Sequence, residues 1–181
     1  MFFRLLLVLS VMAFSSGDVY AQSSSVTQDD VWAMMTRLEG PEGRPVGVGH
    51  YECGPSSRAL AKAIAGLVHD RREAALAVVF AAYESGNDSR AVGDGGKSHG
   101  AYQLRYVSRE IAYDPEASTR VWLWLEREAM AKCPDLPEDE RLARVMSGNC
   151  AAGRAKSRKR AEMASRLTSQ APPLDDRAEL R

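Results

Sequence analysis

Ala82-Tyr83-Glu84-Ser85-Gly86-Asn87-Asp88, followed shortly by Gly93-Asp94-Gly95-Gly96-Lys97-Ser98-His99-Gly100-Ala101-Tyr102-Gln103-Leu104, is the stretch around which the chain is organised. The run from Ala74 to Tyr83 is apolar and ends in one carboxylate. Apolar residues fall all round its helical period, so the spacing predicts a centrally buried helix over 72–84. Gly86 and Asn87 are residues that end helices. Glu84 is therefore expected at the C-terminal end of a core helix. A carboxyl group held half in apolar surroundings, near the negative end of a helix dipole, retains its proton more tightly than one in water.

Residues 89–100 contain four glycines and no helical period. They read as a turn-rich loop or a small β-hairpin turning at Asp94-Gly95-Gly96. The flanking sequence is helical on both sides. Thr27 or Asp29 can cap a helix whose face is Val31, Met34, Met35 and Leu38. Ser56-Ser57 opens another, with Leu60, Ile64, Leu67 and Val68 on one face. His69 then reads as a surface or capping residue. Downstream, helices are expected over 102–111, 117–131, 137–147 and 155–167. Ala171-Pro172-Pro173 begins a polar tail, and residues 168–181 are expected to be disordered.

The chain has 181 residues, with 24 basic and 24 acidic side chains. That length suits one domain with a real core, and neutrality gives no strong pull toward nucleic acid. Residues 1–21 read as a signal peptide: an early Arg4, an apolar run from Leu5 to Phe14, then Val19-Tyr20-Ala21 before the break. The run is too short for the roughly 20 residues of a membrane span. Export to the periplasm or the exterior is the expectation, with no span left after cleavage. An oxidising destination makes a disulfide plausible among Cys53, Cys133 and Cys150. Bridging Cys133 to Cys150 would staple two helix ends, but a pairing that uses Cys53 is equally open. His50, Glu52 and Cys53 match no common metal-ligand spacing and read as a connecting loop. No metal and no cofactor is expected.

Glu84-Ser85-Gly86 followed by Gly100-Ala101-Tyr102-Gln103-Leu104 resembles the motif pair of the lysozyme-like superfamily. Soluble lytic transglycosylases carry Glu-Ser-Gly and then Gly-x-x-Gln. Invertebrate-type lysozymes carry a similar Glu-Ser-Gly, an Asp-Gly-type turn and Gly-x-Tyr-Gln-Ile. The resemblance covers residues 73–104 and fits the later helices only loosely. It implies a mainly α, lysozyme-like domain over 22–167, with the hairpin or glycine-rich loop beside an active-site cleft. It implies peptidoglycan glycan strands as partner and Glu84 as general acid/base on the β-1,4 bond between N-acetylmuramic acid and N-acetylglucosamine. Ser85, Gly100, Tyr102, Gln103 and His99 would contact the sugar or orient Glu84, with Gly100 admitting a sugar close to the backbone.

The second carboxylate decides the chemistry. A hydrolase of this type uses a pair, whereas a lytic transglycosylase works with one and closes a 1,6-anhydro ring. Asp94 is the candidate partner and equally the residue a turn demands; Asp88 is a poorer one. The Tyr-Asn-x-Gly element usual in the transglycosylases has only Val145-Met146-Ser147-Gly148-Asn149 as its nearest equivalent. Two side expectations complete the reading. Arg154, Lys156, Arg158, Lys159, Arg160 and Arg166 read as a solvated helix face, and Trp32, Trp122 and Trp124 as core residues, one of which could border the cleft.

Overall fold

The computed structural model describes residues 26–38 and 55–169. The expectations for the signal segment, for His50, Glu52 and Cys53, and for residues 170–181 lie outside those described. Within them the fold is mainly helical, as expected. The helices are α1 (Gln28–Arg37), α2 (Pro55–Leu67), α3 (Arg71–Ser85), α4 (Arg109–Tyr113), α5 (Pro115–Lys132), α6 (Glu138–Arg141), α7 (Ala143–Ser147) and α8 (Arg154–Ser169). One antiparallel hairpin, β1 (Val92–Gly93) and β2 (Ser98–His99), interrupts them between α3 and α4.

Helix α3 is the axis. Every residue from Ala74 to Ala82 is buried, and α1, α2, α5 and α8 pack against it. Five of those nine side chains are alanine, which lets neighbouring backbones approach closely. Leu76, Val78, Val79 and Phe80 fill the remaining space, each worth about 1.5–3 kcal/mol of burial. The N-terminus is closed by Asp70, which accepts the Glu73 amide proton at 2.8 Å, while the His69 N–H donates to the Glu73 carboxylate at 2.7 Å. Gly86 closes the other end at φ 70°. There the Asn87 N–H returns to the Ala81 carbonyl at 3.2 Å, so the last carbonyls are satisfied without further helix.

The same local rules set the other elements. Thr27 and Asp30 form a capping box on α1. Asp114 accepts the Ala117 N–H at 2.7 Å and Pro115 opens α5. The Cys133–Cys150 disulfide joins the end of α5 to the turn after α7, one of the pairings the sequence left open. Among the described residues no helix is long and apolar enough to cross a membrane.

Two helix expectations are corrected. Residues 102–108 are not helical: His99 and Leu104 exchange main-chain hydrogen bonds at 3.1 and 2.9 Å, so this segment continues the hairpin. Only Arg109–Tyr113 is helix, capped by Ser108. The helix expected over 137–147 is two short pieces. At Leu142 the N–H bonds the Glu140 carbonyl, which breaks the ladder. Helix α6 is held to α8 by Ser157 Oγ, which donates to the Asp139 carbonyl at 2.6 Å, and by Arg154 and Arg158 on Glu140.

Candidate active-site cleft

A cleft of about 730 Å³ runs past the end of α3. Four chain segments line it: Phe80 and Glu84 from α3, Asp94 of the hairpin with its continuation from Tyr102 to Val107, residues of α5, and residues of α7. Of the seven residues singled out in the sequence, Glu84, Asp94, Tyr102 and Gln103 reach the cleft. Ser85, His99 and Gly100 are not among its lining residues, and their expected roles are corrected below.

Glu84 is about 30% exposed and its Oε1 accepts from Arg160 Nη2 at 2.7 Å. Arg160 arrives from α8 as a buried side chain, with its guanidinium 4.5 Å above the Phe80 ring and 5.1 Å from Tyr83. Two cation–π contacts fix its plane. Arg160 is therefore no part of a solvated face, and the surroundings of Glu84 are not purely apolar. Arg160 shares the buried stripe of α8 with Ser157, Ala161, Ala164 and Leu167, and an arginine on such a stripe needs a partner.

Asp94 turns the hairpin, as its place in Asp-Gly-Gly predicts. It stands at φ 50°, followed by Gly95 at 64° and Gly96 at 90°. Its Oδ2 accepts from Arg105 and from Ser98 Oγ. The hydrogen bond from Arg105, then that from Ser98, hold this carboxyl below the usual carboxylate range. Ser98 Oγ also lies 2.9 Å from Gln103 Oε1, and Gln103 Nε2 donates to the Gly100 carbonyl at 3.0 Å. Gln103 sits at φ 48°. Its amide thus ties the continuation of the hairpin back to Ser98 and Gly100, on either side of His99. A Cβ on Gly93 would come within 2.0 Å of Gln103 Oε1, so a residue without a side chain leaves the amide its place.

Gly100 serves the fold. At φ 75°, a Cβ there would stand 1.8 Å from the Ala112 carbonyl oxygen. The space expected for a sugar is filled by α4. Ser85 Oγ lies 2.8 Å from the Ala101 carbonyl and 3.1 Å from that of Ala81, and accepts the Asp88 N–H at 3.1 Å. It staples the end of α3 to the hairpin continuation and so positions Glu84 from behind. His99 is buried, with Nδ1 3.2 Å from the Tyr113 hydroxyl. Asp88 accepts the Arg90 N–H at 2.8 Å and shapes a turn. Tyr102 lines the cleft, but its hydroxyl lies 3.4 Å from Thr119 Oγ1 and its ring stacks on Trp122 at 5.4 Å. Burial raises its phenol well above the ordinary range.

No family model matches the chain, and the curated proteins and solved structures yield no match either.

The cleft also holds residues that the sequence did not single out. Tyr106 is fully exposed and adopts φ 64°, an unfavourable conformation for a bulky side chain. Trp124, expected in the core, is 60% exposed. Both line the cleft, with Arg105 and Arg144. Nothing local marks Tyr106; its exposure follows from the main-chain pairing of Leu104 two residues before. The segment Val145-Met146-Ser147-Gly148, nearest equivalent of the transglycosylase element, lines the cleft as well. Among the described residues no group of His, Cys, Asp and Glu is arranged to hold a metal ion. Chemically, the cleft offers one carboxyl paired with a buried cation, a second carboxyl tied to an exposed arginine, and exposed aromatic faces. Exposed aromatics beside hydrogen-bonding groups suit a ligand with alternating apolar faces and polar edges, as sugars have.

Proposed function

We propose that the chain is an exported, lysozyme-like enzyme that cuts the β-1,4 bond between N-acetylmuramic acid and N-acetylglucosamine in peptidoglycan, acting as a lytic transglycosylase. The observation that carries this reading is Glu84, delivered by α3 to the wall of a cleft that Gln103, Tyr106 and Trp124 also line. In this reading Glu84 gives its proton to the glycosidic oxygen, and the bond from that oxygen to C1 of the muramyl residue breaks. The C6 hydroxyl of the same residue attacks C1 and returns its proton to Glu84, which leaves a 1,6-anhydro end. The engagement of Asp94 Oδ2 by Arg105 and Ser98 supports this single-carboxylate route over hydrolysis. The muramidase alternative would use Asp94 with Glu84 and a water. The Cys133–Cys150 bridge supports an oxidising destination.

One observation favours a second reading, a glycan-binding protein without turnover. Glu84 Oε1 accepts from the buried Arg160 at 2.7 Å, so that oxygen is engaged before any glycan arrives. Catalysis thus requires the Arg160 contact to loosen as glycan fills the cleft.

Digestion of purified peptidoglycan followed by mass spectrometry tests all three. Anhydro ends from the wild type, abolished in Glu84→Gln with unchanged circular dichroism, are the expected result. Reducing ends carrying solvent oxygen would select the muramidase. Sedimentation with the wall and no released fragments would select the binding protein, and clearing by Glu84→Gln would sink the role of Glu84.

A further inference from the structure

Charge is segregated along a chain whose total is neutral. Residues 141–169 carry eight of the 24 basic side chains and one of the 24 acidic ones, Glu162; the rest of the chain carries 16 and 23. Salt screens exposed charges from one another beyond about 10 Å, so a distant acidic region does not cancel a basic one. Most of this excess lies on α8. Its buried stripe is packed in the core, with Arg160 turned to Glu84. On its outer side, every exposed position from Arg154 to Arg166 is charged except Ala155 and Ser165. Five of them are cations: Arg154, Lys156, Arg158, Lys159 and Arg166. Two carboxylates answer them, Glu140 from α6 and Glu162 of α8 itself. Three positive charges are left over, on a strip about 18 Å long at the helical rise. Among the described residues, neither Lys156 nor Lys159 pairs with a carboxylate.

Glu140 does more than neutralise. It is buried and takes Nε of Arg154 and Nη1 of Arg158, while both arginine side chains stay about half exposed. A buried anchor therefore holds two guanidinium forks in place with donors to spare, and groups fixed in advance lose less freedom on binding. The composition of the strip narrows the partner. A helix that binds a membrane surface inserts an apolar face beside its charges; here the apolar stripe is already packed in the core. Proteins that hold single-stranded nucleic acid stack its bases on aromatic side chains, and no exposed position of the strip is aromatic. What remains is recognition of negative charge alone, repeated along a line. A phosphodiester offers paired oxygens to an arginine fork. We propose that the outer face of α8 binds a linear phosphate polymer through Arg154, Lys156, Arg158 and Lys159. The polymer lies across α8 from Glu84, and its binding does not rest on the reading of the cleft.

Calorimetric titration of the full chain with long-chain inorganic polyphosphate, repeated at several salt concentrations, tests it. The wild type should bind, and log Kd should rise against log salt with a slope of about 2, at roughly 0.7 for each of the three uncompensated charges. Lys156→Gln combined with Lys159→Gln removes two exposed cations and no ion pair, so the melting temperature should hold. Affinity should fall about tenfold and the slope to below about 1. Arg120→Gln, which removes an exposed cation from α5, should leave both unchanged. No binding by the wild type, an unaltered affinity and slope in the double variant, or an equal loss in Arg120→Gln would overturn the assignment. Tighter binding of polyglutamate, of single-stranded DNA of equal charge or of anionic phospholipid vesicles would overturn it too, by giving the strip to a different partner. Peptidoglycan digestion is measured apart, so failure here leaves the role of Glu84 standing.

Discussion

Gly93 and Gly100 stand in the same small hairpin, yet a methyl group at each meets a different obstacle. At Gly100 it would strike the Ala112 carbonyl, part of the α4 backbone, at 1.8 Å and at a left-handed φ of 75°. No rotamer relieves that contact. Gly100→Ala should therefore destabilise the fold by about 3 kcal/mol or more, read as a lower urea midpoint. At Gly93 the obstacle is the end of the Gln103 side chain, which can swing away. Gly93→Ala should lose less stability than Gly100→Ala in the same titration. If the two fall equally, the distinction between backbone and side-chain contact is wrong. Glu84 shows the limit of reading single residues. Its place at a helix end follows from the apolar run before it and from Gly86 after it. Its partner Arg160 is set by the docking of α8 on α3, which local sequence does not encode.

Helix α5 carries a carboxyl group that its own packing strains. Glu126 is buried on α5, and burial, then the neighbouring Glu73, push its pKa up from 4.5 to about 7. The charged groups around it are Glu73 and Arg72 of α3, Arg127 of its own helix and Glu138 of α6. Arg127 pairs with Glu73, and Arg72 with Glu138. Because the folded value lies above the unfolded one, the folded state holds the proton more tightly. The stability from this site is complete below about pH 4.5 and is lost as pH rises through about 7, a difference of up to about 3 kcal/mol. Asp30 and Glu140 work the other way. For Asp30, burial opposes ionisation, but hydrogen bonds from Thr27 and Arg71 outweigh it; Glu140 is held low by its hydrogen bond from Arg154, then by Arg158. Their contribution fades only as pH falls through their lowered values. Glu126→Gln should therefore exceed the wild type in melting temperature at pH 8 and match it near pH 4; a constant difference across that range would refute the assignment. The elements themselves were legible where their determinants are local: the apolar run of α3, the Thr27 cap of α1, and the Asp94-Gly95-Gly96 turn. They were illegible where a distant partner overrides the local pattern. Tyr102-Gln103-Leu104 has no helix breaker, but Leu104 pairs with His99. Residues 137–147 read as one helix until α6 is drawn onto α8.

At the scale of the whole molecule, the cleft is assembled from α3, the hairpin, α5 and α7, and its carboxyl group is completed from α8. Glu84, Tyr102 and Gln103 were legible because one short motif pair contains them, and Asp94 because the Asp-Gly-Gly turn lies between its two halves. Trp124, Tyr106 and Arg160 were not, since exposure and pairing belong to the assembled helices. The disulfide holds part of this assembly. It closes a separation of 17 residues between the end of α5 and the turn after α7, and Ser147 and Gly148 on that closed segment line the cleft. Reduction should remove about 3 kcal/mol and lower the melting temperature by roughly 5–10 °C, measured by thermal melts with and without reductant. An unchanged melt would show that helix packing alone fixes α7. The three tryptophans meanwhile occupy three environments: Trp122 sealed between Tyr102 and Phe80, Trp32 beneath the Arg58 guanidinium at 4.2 Å, and Trp124 open on the cleft. An excited indole emits further to the red when water can relax around it. A ligand that covers Trp124 would draw its emission to the blue, while Trp122 beneath would respond only when the wall itself is disturbed. The cleft carries its own optical gauge, with one fluorophore for occupancy and one for integrity.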